Sequence, residues 1–114
     1  MPNEFTRSET KLLRRLADEA WDAELRVCLL ELHAQFGSWA NQGMSSFDLV
    51  ERIHEFHNGA SRELYGRYTS LSPALAVARA VAFGLIADDA MSAPLKEKLD
   101  ADIDAFREIG EGRG

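Results

Sequence analysis

The sequence predicts an all-α fold: a compact bundle of about five helices, with a long N-terminal helix and a buried, alanine-rich helix near residues 73–87. Two observations support this class. Apolar residues recur every three or four positions through most of the chain, as on one face of an α-helix, and no segment shows the alternation of a β-strand. Residues 1–109 are therefore expected to form one helical domain, followed by a frayed tail at 110–114.

The length, net charge and cysteine content of the chain disfavour several classes of protein function. With 114 residues, 46% of them hydrophobic, the chain has enough length for a single core. The net charge of -6 disfavours binding to nucleic acid or to an anionic membrane. The sequence has one cysteine, Cys28, and its N-terminus lacks the features of a signal peptide, so we expect a cytoplasmic protein without a membrane segment.

The first helix is predicted over about residues 8–36 and carries more apolar surface than one side of a helix can hold. Its first stripe is made of Leu12, Leu13, Leu16, Ala20, Ala23, Val27, Leu30 and Ala34, and its second of Leu25, Leu29, Leu32 and Phe36. At 1.5 Å per residue this helix would be roughly 43 Å long, which exceeds the diameter expected for the chain. Either it breaks near Asp18 to Asp22, or its overhang packs on a second subunit, which predicts a homodimer.

The middle of the chain predicts two shorter helices separated by a turn. A polar connector at 37–46, around Trp39, leads to a helix over about 47–57 with Phe47, Val50, Ile53 and Phe56 as its apolar face. Asn58-Gly59 should end that helix, and Ser61 should begin another that runs through Tyr68.

Two helices are expected in the last third. Ser72-Pro73 combines a good N-cap with the residue favoured at the first helical position. The alanine-rich segment that follows should lie in the middle of the bundle. A final helix begins after Ser92 and ends at Gly110, with Leu95, Leu99, Ile103, Phe106 and Ile109 as its buried stripe.

The candidate functional cluster comprises Glu51, His54, Glu55, His57, Arg62 and Tyr65. His54 and His57 are one helical turn apart, so with Glu51 they are candidate ligands for zinc or iron, or an acid/base site. A di-iron centre would need a second Glu-x-x-His, which the sequence lacks. Packing at the end of a helix explains the two histidines at least as well, so no cofactor is predicted.

Other motifs are weaker. A helix-turn-helix over residues 47–68 would place Ser61, Arg62, Tyr65 and Arg67 on a DNA-recognition helix, but two arginines are few for phosphate contacts. The acidic residues from Asp100 to Glu111 match part of a calcium-loop template, yet Ala105 stands where that loop needs glycine. Neither motif establishes a function.

These observations favour a small helical protein that acts by protein–protein interaction, as an adaptor or regulator, without evident catalysis. The predicted partners are a second copy of the chain and another protein. Nucleic acid is disfavoured, and a metal or acid/base site on Glu51, His54 and His57 is the alternative, with DNA binding after it.

Overall fold

The computed structural model describes the backbone of residues 4–112 and the side chains of residues 4–110. Within this range every regular element is helical, which confirms the all-α class. The elements are α1 (Arg7–Ala40), α2 (Ser46–Phe56), a π-helical segment (His57–Ser61), α3 (Arg62–Ser70), α4 (Pro73–Ala82), a 3-10 turn (Asp88–Ala90) and α5 (Ala93–Gly112). Because α2, the π-helical segment and α3 are continuous, the described chain has four helices where about five were predicted.

Helix α1 is helical throughout, which rules out the alternative of a break near Asp18 to Asp22. It begins at a capping box: the Glu9 N–H donates to Thr6 Oγ1 at 3.1 Å, and the Thr6 N–H donates to Glu9 Oε1 at 2.9 Å. It ends where Gln42 adopts a positive φ of 63°. The Gly43 N–H then donates to the Ser38 carbonyl at 2.8 Å, as in a Schellman motif. The connector is thus shorter than the predicted 37–46.

The predicted turn at Asn58-Gly59 does not form, because residues 46–70 are helical throughout. Leu49 and Leu64 are buried along this stretch, and Phe56, Ala60, Ser61, Arg67 and Tyr68 are half-buried. Four of these seven, Phe56, Ala60, Leu64 and Tyr68, are spaced four apart. In a straight α-helix each such step would rotate the side chain by about 40° away from the previous one. A π-helical segment holds about one residue more than the α-helical equivalent, and this extra residue absorbs the drift. All four side chains therefore share one face.

The alanine-rich helix is buried as predicted but shorter than expected. Ser72 caps it, with its Oγ accepting the Leu75 N–H at 3.2 Å. It ends at Ala82, followed by Gly84 with a φ of 79°, rather than at residue 87. The side chains of Ala76, Val77, Ala78, Ala80 and Val81 are buried.

The last helix also buries much of its predicted stripe. Leu95, Leu99 and Ile103 are buried, whereas Phe106 is half-buried and Ile109 is exposed. Helix α5 continues to Gly112, so the predicted end at Gly110 is wrong by two residues. The rest of the predicted tail, residues 113–114, lies outside the described residues.

The contacts of the chain group into two compact units. The core unit contains the residues up to Ala20 and those from Ser70 onward. It holds thirteen of the fifteen buried hydrophobic side chains of the described residues. In this unit the Lys98 ammonium donates to Glu9 Oε1 at 2.7 Å and joins α5 to the start of α1.

The second unit, Trp21–Thr69, is an antiparallel helical hairpin, which we call the hairpin unit. Near one end Glu24 of α1 bonds to Arg67 and Tyr68 of α3, and near the other the Trp39 Nε1–H donates to Ser46 Oγ at 2.9 Å. Its buried hydrophobic side chains are Leu49 and Leu64.

The hairpin unit is where the predicted core stripes fail. Val27, Leu30 and Ala34 of the first stripe are exposed, although Leu13, Leu16 and Ala20 of the same stripe are buried. On α2 the predicted core residues Phe47, Val50 and Ile53 are exposed, and Leu49 is buried instead. None of the helices in the described part of the chain has the length and apolarity that a bilayer crossing requires.

Candidate functional site

The predicted functional cluster lies along a single helix. All six of its residues are exposed along the continuous helix from Ser46 to Ser70. Glu55 pairs with Arg52, whose Nη1 lies 3.2 Å from each carboxylate oxygen. His54 and His57 instead share the side of α2 that carries the exposed Val50 and Ile53, because these residues follow one another at helical spacing.

The candidate metal ligands Glu51, His54 and His57 are not assembled into a coordination site. Among the residues that the structure describes, no three His, Cys, Asp or Glu side chains are grouped so that they could hold a metal ion. His33, the other histidine considered as a ligand, is exposed on α1.

The helix-turn-helix interpretation lacks its turn. Ser61, Arg62, Tyr65 and Arg67 belong to the same continuous helix as the residues before them. Arg67 is also engaged within the hairpin unit: its Nη1 lies 3.3 Å from Glu24 Oε1 and its Nη2 lies 3.3 Å from Glu63 Oε1. A guanidinium held between two carboxylates is poorly placed to contact a phosphate.

Sequence analysis missed the cluster that closes the end of the hairpin around Glu24. The Tyr68 hydroxyl donates to Glu24 Oε2 at 2.6 Å, and the Tyr68 ring stacks on Trp21 with centroids 5.6 Å apart and planes 5° from parallel. The Tyr65 ring lies 6.1 Å from Trp21. The available signal was the spacing of three between Trp21 and Glu24 and between Tyr65 and Tyr68, which places each pair on one helical face. This cluster fixes α3 against α1.

One side of the hairpin unit carries a shallow groove of about 250 Å³ with a mixed lining of charged and apolar side chains. It is lined by Cys28, Glu31, Leu32, Gln35, Arg52, Glu55, Phe56 and Ala60. Cys28 is a half-buried free thiol. The ion pair of Arg52 with Glu55 spans part of this groove, which carries two carboxylates and one guanidinium.

The opposite side of the hairpin unit is apolar. The half-buried Cys28 and Gln35 lie on the side of α1 that faces α2. At about 100° per residue, Glu31 lies to one side of this pair, and Leu29 and Phe36 lie to the other. On α2, the half-buried Phe56 faces α1. The same helical spacing places Arg52 and Glu55 to one side of Phe56 and Ile53 to the other. Because Glu31, Arg52 and Glu55 line the same groove, the apolar residues must share the other side. We call Leu29, Phe36, Val50 and Ile53, with Phe47 at their outer edge, the hairpin face.

Each member of the hairpin face is exposed, from 36% for Ile53 to 89% for Phe47. The face contains no charged side chain, and His57 lies at its border. Its chemistry is that of a helix-packing surface. His54 and His57 share the side of α2 that carries Val50 and Ile53, but no three His, Cys, Asp or Glu side chains of the described residues are grouped around them.

Comparisons with protein-family models, with curated proteins and with solved structures found no match to this chain.

Proposed function

We propose that this chain acts by protein–protein interaction, in an adaptor or regulatory role, and that the hairpin face is the surface through which it binds another polypeptide. The observation that carries this proposal is the uneven distribution of exposed apolar side chains. Among the described residues, nine of the eleven large hydrophobic side chains that are exposed belong to the hairpin unit.

Isolated exposed hydrophobic residues are normal, but contiguous ones are not. With the fractional exposures above, the five side chains of the hairpin face present roughly 500 Å² of apolar surface, in the upper part of the range for the largest patch on a monomer. The largest apolar patch on a monomer is often functional. The absence of charge on the face favours a partner that buries it against apolar side chains.

The alternative, a metal or acid/base site on Glu51, His54 and His57, has less support, since these side chains are exposed and the described residues do not assemble a ligand group around them. DNA binding through residues 47–68 loses the turn on which it depended. A cytoplasmic location remains a prediction from the sequence.

The proposal is tested by photo-crosslinking in the cells that produce the protein. A photoreactive p-benzoylphenylalanine replaces Ile53 on the hairpin face or, as the matched control, Glu55 two residues away on the polar side of the same helix. We expect ultraviolet light to attach a polypeptide covalently at position 53 and much less at position 55. Equal crosslinking at both positions, or none at position 53, would contradict the proposal.

A further inference from the structure

We infer that the polypeptide that covers the hairpin face is a second copy of this chain, so that two hairpin units stack face to face as a four-helix bundle. This inference rests on the proposed function, because it names the partner of the same surface. Four observations support it: the single layer of helices in the hairpin unit, the charge pattern, the apolar area and the bonds that hold the hairpin.

The hairpin unit has only one layer of helices. Stable α-helical architectures bury each apolar stripe between two layers. With Leu49 and Leu64 as its buried hydrophobic side chains, the hairpin unit buries the residues between its two helices and leaves a whole side open. A second hairpin placed on that side gives the arrangement of an antiparallel four-helix bundle, in which every helix has two neighbours.

The charge pattern favours self-association through this side. The chain carries a net charge of -6, which opposes the association of two copies, and charges of the same sign placed opposite each other at the interface would add to this repulsion. Glu31, Arg52 and Glu55 lie on the groove side, and the hairpin face is free of charged side chains. Two identical hairpin faces can therefore meet without confronting like charges.

The area is sufficient for a dimer. Two copies together would bury roughly 1,000 Å² of apolar side chain from the hairpin face alone, which is the lower limit for a specific interface. The half-buried Leu25, which borders the face on α1, would add to this area.

The hairpin is held near both ends, so its face is formed before binding. The bonds of Glu24 to Arg67 and Tyr68 fix one end, and the bond of Trp39 to Ser46 fixes the other. Association then loses little conformational entropy, because the two helices need no further ordering.

The test compares two neighbouring leucines of α1. Leu29 belongs to the hairpin face and is 48% exposed, whereas Leu30 is 60% exposed on the side of α1 that points away from α2. Leu29→Glu would bury a carboxylate in the dimer, which should raise the dissociation constant at least about a hundredfold. Leu30→Glu makes the same chemical change outside the dimer interface and should leave the dissociation constant within about twofold of the wild-type value.

The masses of the wild-type protein and both variants are measured by sedimentation velocity over a range of concentrations, with far-ultraviolet circular dichroism to show that each variant is folded. A wild-type dimer that Leu29→Glu dissociates and Leu30→Glu preserves would support the inference. If Leu29→Glu fails to fold, Ile53→Glu on α2 replaces it.

A monomeric wild-type protein, or a dimer that Leu30→Glu dissociates and Leu29→Glu does not, would overturn the inference. The crosslinking experiment separates this failure from that of the proposed function. An adduct at position 53 of twice the chain's mass supports both. An adduct of another mass, from a monomeric protein, supports an interaction role and rejects self-association.

Discussion

Deleting Gly59 should leave the hairpin unit folded, although this residue lies in the middle of a continuous helix. Phe56, Ala60, Leu64 and Tyr68 are four residues apart and share a face because the π-helical segment absorbs one residue. Without Gly59 the same side chains would follow Phe56 at steps of 3, 7 and 11, which is the spacing of one face of an ordinary α-helix. The helix can then become fully α-helical with Leu64 still facing α1.

The expected cost follows from the geometry. The α-helical segment with one residue less has nearly the length of the π-helical segment that it replaces, so α3 shifts only slightly. This shift should weaken the bonds from Arg67 and Tyr68 to Glu24 by roughly 1–2 kcal/mol. Removing a glycine from a helix interior raises the unfolding free energy by about 1 kcal/mol. The net loss of unfolding free energy should therefore be about 1 kcal/mol or less.

Deleting Glu51 is the matched control, because it removes one residue from the same continuous helix outside the π-helical segment. Leu49 and Phe56 are seven residues apart, which is already the α-helical spacing for a shared face. The deletion rotates the start of α2 by about 100° and brings Asp48 to the buried position of Leu49. Losing the burial of Leu49 and burying a carboxylate should together cost about 3 kcal/mol or more.

Both deletions are compared by urea unfolding, followed by far-ultraviolet circular dichroism and by tryptophan fluorescence, which reports the surroundings of Trp21 and Trp39 in the hairpin unit. Gly59→Ala completes the set. A Cβ added at Gly59 meets no atom within 4 Å, so this substitution should raise stability by up to about 1 kcal/mol. If deleting Gly59 costs as much as deleting Glu51, the π-helical segment is not a correction of register and the reasoning is refuted.

Three further predictions concern the core unit. Leu99 is 1% exposed, so Leu99→Ala should lower the free energy of urea unfolding by about 3 kcal/mol. Ile109 on the same helix is 52% exposed, so Ile109→Ala should lower it by less than about 1 kcal/mol, and equal losses would contradict the burial pattern. The hydrogen bond from Lys98 lowers the pKa of Glu9 below its ordinary value of 4.5, so this carboxylate stabilises the fold above that pH and loses its contribution as the pH falls through the lowered pKa. Glu9→Gln should therefore flatten the decline of the unfolding free energy in acid, and an unchanged slope would exclude this role. Gly84→Ala should cost about 1 kcal/mol, visible as a lower melting temperature, because φ at this position is 79°; a higher melting temperature would argue against strain.

The elements that were predicted well depend on local chemistry. Ser72-Pro73 begins a helix wherever the next residues are helix formers, since the Ser72 side chain and the Pro73 ring act within a single turn. The stripe of Leu95, Leu99 and Ile103 was identified because a helix that packs on a core needs apolar residues at this spacing. Neither inference required knowledge of the neighbouring helix.

The candidate site was predicted less well, since its parts come together only through packing. His54 and His57 are neighbours on α2 as their spacing requires, but the absence of a surrounding ligand group among the described residues is a property of the fold. No local sequence pattern marks Glu24 as a site residue, because its partners Arg67 and Tyr68 are more than forty residues away.

The sequence by itself determined the helical class, the capped start of α4 and the buried stripe of α5, because periodicity and capping act over a few residues. Only the tertiary structure decided which faces are covered and whether Asn58-Gly59 forms a turn. The preference of such a pair for a turn is worth about 1 kcal/mol per residue, less than the burial of Leu64 and the stacking of Tyr68 that a continuous helix makes possible. Interactions between distant segments therefore override a local preference, and they leave the side chains of the hairpin face exposed.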